Sequence, residues 1–116
     1  MGFRNLVPGR VVSVQGEQVL VDVDGVRLPA TRRTALQPGD GAMLAIRPDD
    51  LVHEPGGADT LPATAVSSEF RGNDYTGFAR MADGTELVFT AHEAVAPGMT
   101  LHLAAQAART LAYPAA

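Results

Sequence analysis

A chain of 116 residues with 46% hydrophobic and 19% charged side chains has the composition of an ordinary globular protein, with room for one core or two tightly fused small barrels, which excludes a disordered chain and a large enzyme. All nine basic residues are Arg and Cys is absent, so disulfides, thiolate zinc sites, Cys nucleophiles, P-loop nucleotide binding and Lys Schiff bases are excluded in this chain. Thirteen acidic residues bring the net charge to −4, which gives nucleic-acid phosphate no general reason to bind.

The opening Met1-Gly2-Phe3-Arg4-Asn5 lacks the apolar stretch of a signal peptide, and no run approaches the roughly 20 apolar residues that span a bilayer, so no direct membrane insertion and a cytosolic location are expected. Val19-Leu20-Val21-Asp22-Val23 places its three Val on one face, the period of a half-buried strand. Asp24-Gly25 predicts a tight hairpin turn into Val26-Arg27-Leu28. Pro38-Gly39 then precedes the apolar run Ala42 to Ile46. A second hairpin runs from Thr76 to Met81, through Asp83-Gly84, into Glu86 to Thr90, and Pro97-Gly98 precedes Thr100 to Leu103. With Gly and Pro falling singly between short apolar runs, the pattern predicts an all-β chain. The expected core is Val12, Val14, Val19, Val21, Val23, Leu28, Leu44, Ile46, Val66, Phe78, Leu87, Phe89, Leu101 and Leu103.

These segments repeat. Asp24 and Asp83, Leu28 and Leu87, Gly39 and Gly98, and Leu44 and Leu103 are each 59 positions apart, while Pro8 and Pro62 are 54 apart. About five extra residues are therefore expected between Ser67 and Tyr75. The predicted organisation is a single domain over 1–116, with half-repeats at about 5–53 and 61–113 and a linker over 54–60 that contains Pro55-Gly56-Gly57. Neither half can bury both faces of its own sheet, so the halves should pair or intertwine.

The order Gly2-Phe3-Arg4-Asn5-Leu6-Val7-Pro8-Gly9-Arg10-Val11, Pro38-Gly39-Asp40 and Leu44-Ala45-Ile46-Arg47-Pro48-Asp49-Asp50-Leu51 resembles the C-terminal TOBE region of ATP-binding subunits of ABC importers, with Ile-Arg-Pro-Glu/Asp the most specific motif. The likeness continues through Val66, Phe70, Gly72, Asp83-Gly84, Pro97-Gly98 and Leu111-Ala112-Tyr113-Pro114. It implies an OB-like β-barrel of two half-repeats that dimerises, helps hold the ATPase dimer together and receives regulatory signals. The implied partners are a second copy, the nucleotide-binding domain of the same subunit and the membrane subunits of a transporter, placing the domain in the cytoplasm, peripheral to the inner membrane. ATP and Mg belong, on this resemblance, to the nucleotide-binding domain that precedes the region, so no cofactor is expected in this chain. Met1 then stands at the start of the accessory region, cut from a longer subunit or encoded alone. Asp49 replaces the more usual Glu, and Ala105-Gln106-Ala107-Ala108 replaces the motif in the second repeat, so only the first copy is expected to carry its structural role.

Arg47 and Asp49 follow a strand end, where Pro48 presets a turn that Asp49 can close through backbone N–H groups; the alternative is an interdomain or dimer contact through Arg47. The inserted segment carries Glu69, Phe70, Arg71 and Tyr75, residue types enriched at interface hot spots, although Phe70 could equally plug the core. Ser67, Ser68, Arg71 and the Gly72 backbone could instead cradle an oxyanion. His53, His92 and His102 lie on separate segments without metal-ligand spacing. With no Gly-x-Ser-x-Gly elbow, and adjacent Asp49 and Asp50 pointing different ways, no catalysis is expected. Function should come from contacts: a regulatory, dimer-forming accessory domain, or alternatively a domain that binds an oxyanion or a transported solute.

Overall fold

The computed structural model describes residues 5–55 and 59–115. The first half supplies β1 (Asn5–Gln15), β2 (Gln18–Val23), β3 (Val26–Arg32), β4 (Gly41–Ile46) and β5 (Leu51–His53). The second supplies β6 (Leu61–Phe70), β7 (Tyr75–Arg80), β8 (Glu86–Ala91), β9 (Thr100–Ala105) and β10 (Leu111–Pro114). A single 3-10 turn precedes the last strand of each half, at Pro48–Asp50 and Ala107–Arg109.

The strands close two barrels, and each half lends its last strand to the other. One barrel is ordered β1-β2-β3-β10-β4 and the other β5-β8-β7-β6-β9. The exchanged strands make the same pairings in both: Val52 lies opposite Thr90 in parallel, as Leu111 does opposite Thr31. An all-β, OB-like architecture of two half-repeats follows directly from this order.

Local chemistry explains most of the elements. Val19, Val21 and Val23 face inward on β2, and Leu87, Phe89 and Ala91 do so on β8. Asp24 and Gly25 sit at φ 51° and 89°, the two-residue turn that matches the twist of paired strands. The second hairpin is one residue longer: the Gly84 N–H donates to the Met81 carbonyl and the Met81 N–H to the Thr85 carbonyl, with Gly84 at φ 91°. Strand register therefore divides the inserted residues differently from the sequence arithmetic. Val11 pairs with Val21 and Ala65 with Ala79, so equivalent residues are 54 apart on the first strand and 58 apart on the second. Four extra residues lie at the β6–β7 tip, and the fifth is in the following turn.

The expected core needs correction at the bulges. Between Val11 and Ser13, and again between Ala65 and Ser67, the register slips by one residue. Val12 and Val66 are the extra residues, so strict alternation fails there. Val7 and Val11 are buried in place of Val12, and Ala63 and Ala65 in place of Val66, which is 44% exposed. Phe78, opposite Ser67, turns to the outer face, and Val14 is half-buried. Both bulges are fixed from outside the strand: the Gly39 N–H donates to the Val11 carbonyl and the Gly98 N–H to the Ala65 carbonyl, each at 2.8 Å.

The two barrel interiors solve one packing problem in opposite ways. In the first barrel Val19 lies opposite Ala30; in the second Gly77 lies opposite Phe89. All four positions are buried, and the volume missing from Gly77 is filled by the Phe89 ring. Leu36 and Val95, at equivalent positions in the loops before β4 and β9, complete the two cores.

The motif carried by the first half is not needed for the turn it was expected to build. Ala107–Arg109 forms the same 3-10 turn without Arg-Pro-Asp, because backbone bonds close both: the Asp50 N–H donates to the Arg47 carbonyl at 2.9 Å and the Arg109 N–H to the Gln106 carbonyl at 3.0 Å. Thr90 Oγ1 donates to the Pro48 carbonyl and Thr31 Oγ1 to that of Ala107, so each turn is pinned by the opposite half.

Candidate functional site

The tip of the β6–β7 hairpin, residues 71–74, is held by ion pairs. Arg71 grips Asp74 through two bonds, Nε to Oδ1 at 2.9 Å and Nη2 to Oδ2 at 3.1 Å, a bidentate arrangement that fixes both side chains. The backbone closes beneath them, with the Arg71 N–H donating to the Asp74 carbonyl and Gly72 at φ 107°, a conformation natural to Gly. The hydrogen bond from Arg71 holds the Asp74 carboxyl below the ordinary carboxylate range, and the same bond raises the Arg71 pKa.

Asp49 joins this cluster from the other half of the chain. Its Oδ1 lies 3.7 Å from Arg71 Nη2 and accepts a 3.0 Å bond from Thr90 Oγ1. The 3-10 turn is closed by backbone groups, and the Asp49 carboxylate is turned toward Thr90 and Arg71 instead. Arg47 is exposed and caps the turn through its backbone only. Glu69 is exposed on the outer face of β6.

Phe70 is no core plug: it is 65% exposed. Tyr75, directly opposite and packed on the core, stacks against it with ring centroids 5.2 Å apart and an interplanar angle of 55°. A half-buried aromatic thus props up an exposed one, at a tip whose Arg is already committed. Ser67, Ser68, Arg71 and Gly72 do not converge on a common point. Ser67 lies on the outer face, whereas Ser68 Oγ accepts the Val95 N–H at 3.2 Å, and Arg71 is neutralised by two carboxylates.

A second feature was not foreseen from the sequence. A cleft of about 850 Å³ lies on the outer face of β6, β7 and β8, lined by Leu6, Val66, Phe78 and Val88 together with Glu69 and Arg80. Arg80 is paired with Glu86 at 3.4 Å on its rim. Alternation with the inward Ala65, Gly77 and Ala79 turns Val66 and Phe78 outward onto this face, and the bulge sets Ser67 beside them. Asn5 at its edge is 3% exposed and ties the two barrels together, its Nδ2 donating to the Val88 carbonyl at 2.8 Å and its Oδ1 accepting the Val88 N–H at 2.7 Å. A polar residue in the inward phase of an otherwise apolar alternation was the available signal.

Among the described residues, no cluster of His, Asp and Glu could hold a metal ion, and no helix is long and apolar enough to cross a membrane. The sequence profile described as the TOBE domain matches residues 44–112, more than half of the chain. The chain belongs to the TOBE domain family. No curated protein matches it. Among solved structures it is similar to the cytoplasmic molybdate-binding protein ModG, in a PEG-grown form with molybdate bound, with a TM-score of 0.75 over 97% of this chain and 96% of that one at 16% identity. At that identity the likeness is one of fold. It extends over both barrels of this TOBE protein, including the exchanged strands, since almost the whole of each chain is superposed.

Proposed function

We propose that this TOBE protein is a non-catalytic accessory domain that regulates the ATPase subunit of an ABC importer by making protein contacts, in the cytoplasm and peripheral to the membrane. Its partners are a second copy across a two-fold axis, the nucleotide-binding domain of the same subunit and the transporter's membrane subunits; nucleic acid is not among them. The observation that carries this reading is the hairpin tip, where Phe70 is 65% exposed on a support of Tyr75 and locked ion pairs. An exposed aromatic that is already ordered loses little entropy when it docks, which is the economy of a contact hot spot. Arg47, Asp49, Glu69 and Arg71 supply the polar rim. Sedimentation mass measured over a range of concentrations tests the self-association. A dimer that Phe70→Ser converts to monomer supports the two-fold role, and a monomer at every concentration removes it.

A second reading, binding of an oxyanion or transported solute, is favoured by the likeness of fold to ModG with molybdate bound. The described Ser67, Ser68, Arg71 and Gly72 offer it no ready pocket, so it predicts a site assembled between copies. Molybdate, tungstate, sulfate and phosphate should then raise the melting temperature by several degrees through mass action. No shift with any of the four would remove this reading.

A further inference from the structure

The chain is built as a pair of halves that complete each other, and strand geometry alone does not dictate which half pairs with which. β5 and β10 occupy equivalent places, as do the two 3-10 turns and the threonines that pin them. A first half could in principle receive β5 from another first half in place of β10. Three features distinguish the halves at their junction.

Asp50 and Arg109 are equivalent positions in the repeat, and they face each other across it, Oδ1 to Nη1 at 3.6 Å, with the Asp50 side chain only 13% exposed. Pairing of like halves would set Asp50 against Asp50, or Arg109 against Arg109. Asn5 of the first half bonds both backbone groups of Val88 in the second. The residue equivalent to Val88 in β3 is Pro29, which has no N–H, so in a first-half pair the buried Asn5 Oδ1 would lose its donor. Finally, Leu51 and Thr110 are equivalent and both buried, at 0% and 1% exposure. A first-half pair would force Leu into the space shaped for Thr, and a second-half pair would leave a void where Leu belongs.

We propose that Asp50–Arg109, Asn5 and the Leu51/Thr110 exchange make each half select the unlike half and reject a copy of itself. The junction surface therefore fits one kind of partner, the complementary half, in the same chain or in a second copy of it. Specificity arises here from repulsion and an unpaired buried group in the wrong pair as much as from attraction in the right one.

The test uses the full chain carrying one protease site between Pro55 and Thr60, nicked after folding. Nicked samples with and without heavy isotopes are mixed, unfolded in urea, refolded together and weighed by native mass spectrometry. The expected result is exchange between the samples with every pair made of one first half and one second half. Random pairing would put about half of all pairs in like combinations, and a share near that value overturns the proposal. Failure of the halves to reassemble also overturns it, because recognition is then not contained in the junction. Asp50→Asn with Pro29→Val removes the repulsion and restores an N–H for Asn5. That variant should raise first-half pairs about tenfold or more, as recovery of a buried bond implies. No rise, with unlike pairs intact in the same spectrum, removes these residues from the role.

Discussion

Replacing Gly77 by Val should be severely destabilising alone and mild when Phe89 is replaced by Ala at the same time. A Cβ at Gly77 would fall 2.3 to 2.7 Å from three carbons of the Phe89 ring, which is fully buried. Carbon atoms pack at about 3.5–4.0 Å, so the ring would have to retreat by more than about 1 Å into a filled interior. Overpacking of that size costs about 3 kcal/mol. Phe89→Ala alone empties the ring volume and costs about 3–5 kcal/mol. The double variant reproduces the Val19/Ala30 pair of the first barrel at the equivalent site. If the two barrels are interchangeable solutions, it should lose only about 1–2 kcal/mol, a coupling of several kcal/mol between residues in contact. Urea unfolding of the four proteins, with comparable slopes, measures this. Additive losses in the double variant would refute the volume exchange.

Three further outcomes follow from single side chains. Asn5→Ala should cost about 2 kcal/mol, because it strands the Val88 N–H and carbonyl between the barrels; an unchanged urea midpoint would contradict that. Asp74 has its carboxyl held below its ordinary value by Arg71, so the bridge is intact above about pH 4 and is lost as pH falls through the lowered value; an NMR titration placing Asp74 at or above about 3.9 would refute this. Val66→Asp should change stability by no more than about 0.5 kcal/mol because the side chain is 44% exposed on the outer face, whereas Val21→Asp should unfold the protein. Circular dichroism melts of the two variants would separate the cases.

The elements legible in the sequence were those fixed by neighbours along the chain. Val19, Val21 and Val23 declare an inward face by alternation, and Asp24-Gly25 declares its turn by tolerance of positive φ. The family was legible in the ordered motifs from Ile46 onward. What escaped depends on residues distant in sequence. Nothing local marks Val12 and Val66 as bulges, since the partners that fix them are Gly39 and Gly98, about 30 positions away. The outer cleft was hidden because Leu6, Val66, Phe78 and Val88 come from four different strands and meet only in the folded chain. The sequence picked out the tip residues, but not that Asp49 would reach Arg71 or that Ser67 and Ser68 would diverge. The Asp49 contact rests on the exchange of strands between halves, whereas Ser67 and Ser68 diverge because neighbours on a strand face opposite sides.

That exchange also sets the order in which the protein can be completed during synthesis. Chains emerge from the ribosome N-terminus first, yet the barrel containing β1 to β4 is closed by Leu111–Pro114. Until those residues are made, the earlier barrel has an open seam beside Thr31 and Ala45, while β5, already translated, waits for a barrel that does not yet exist. Nascent chains should therefore stay susceptible to proteases until nearly the whole sequence has emerged. Removing the last strand would injure the barrel at the opposite end of the sequence.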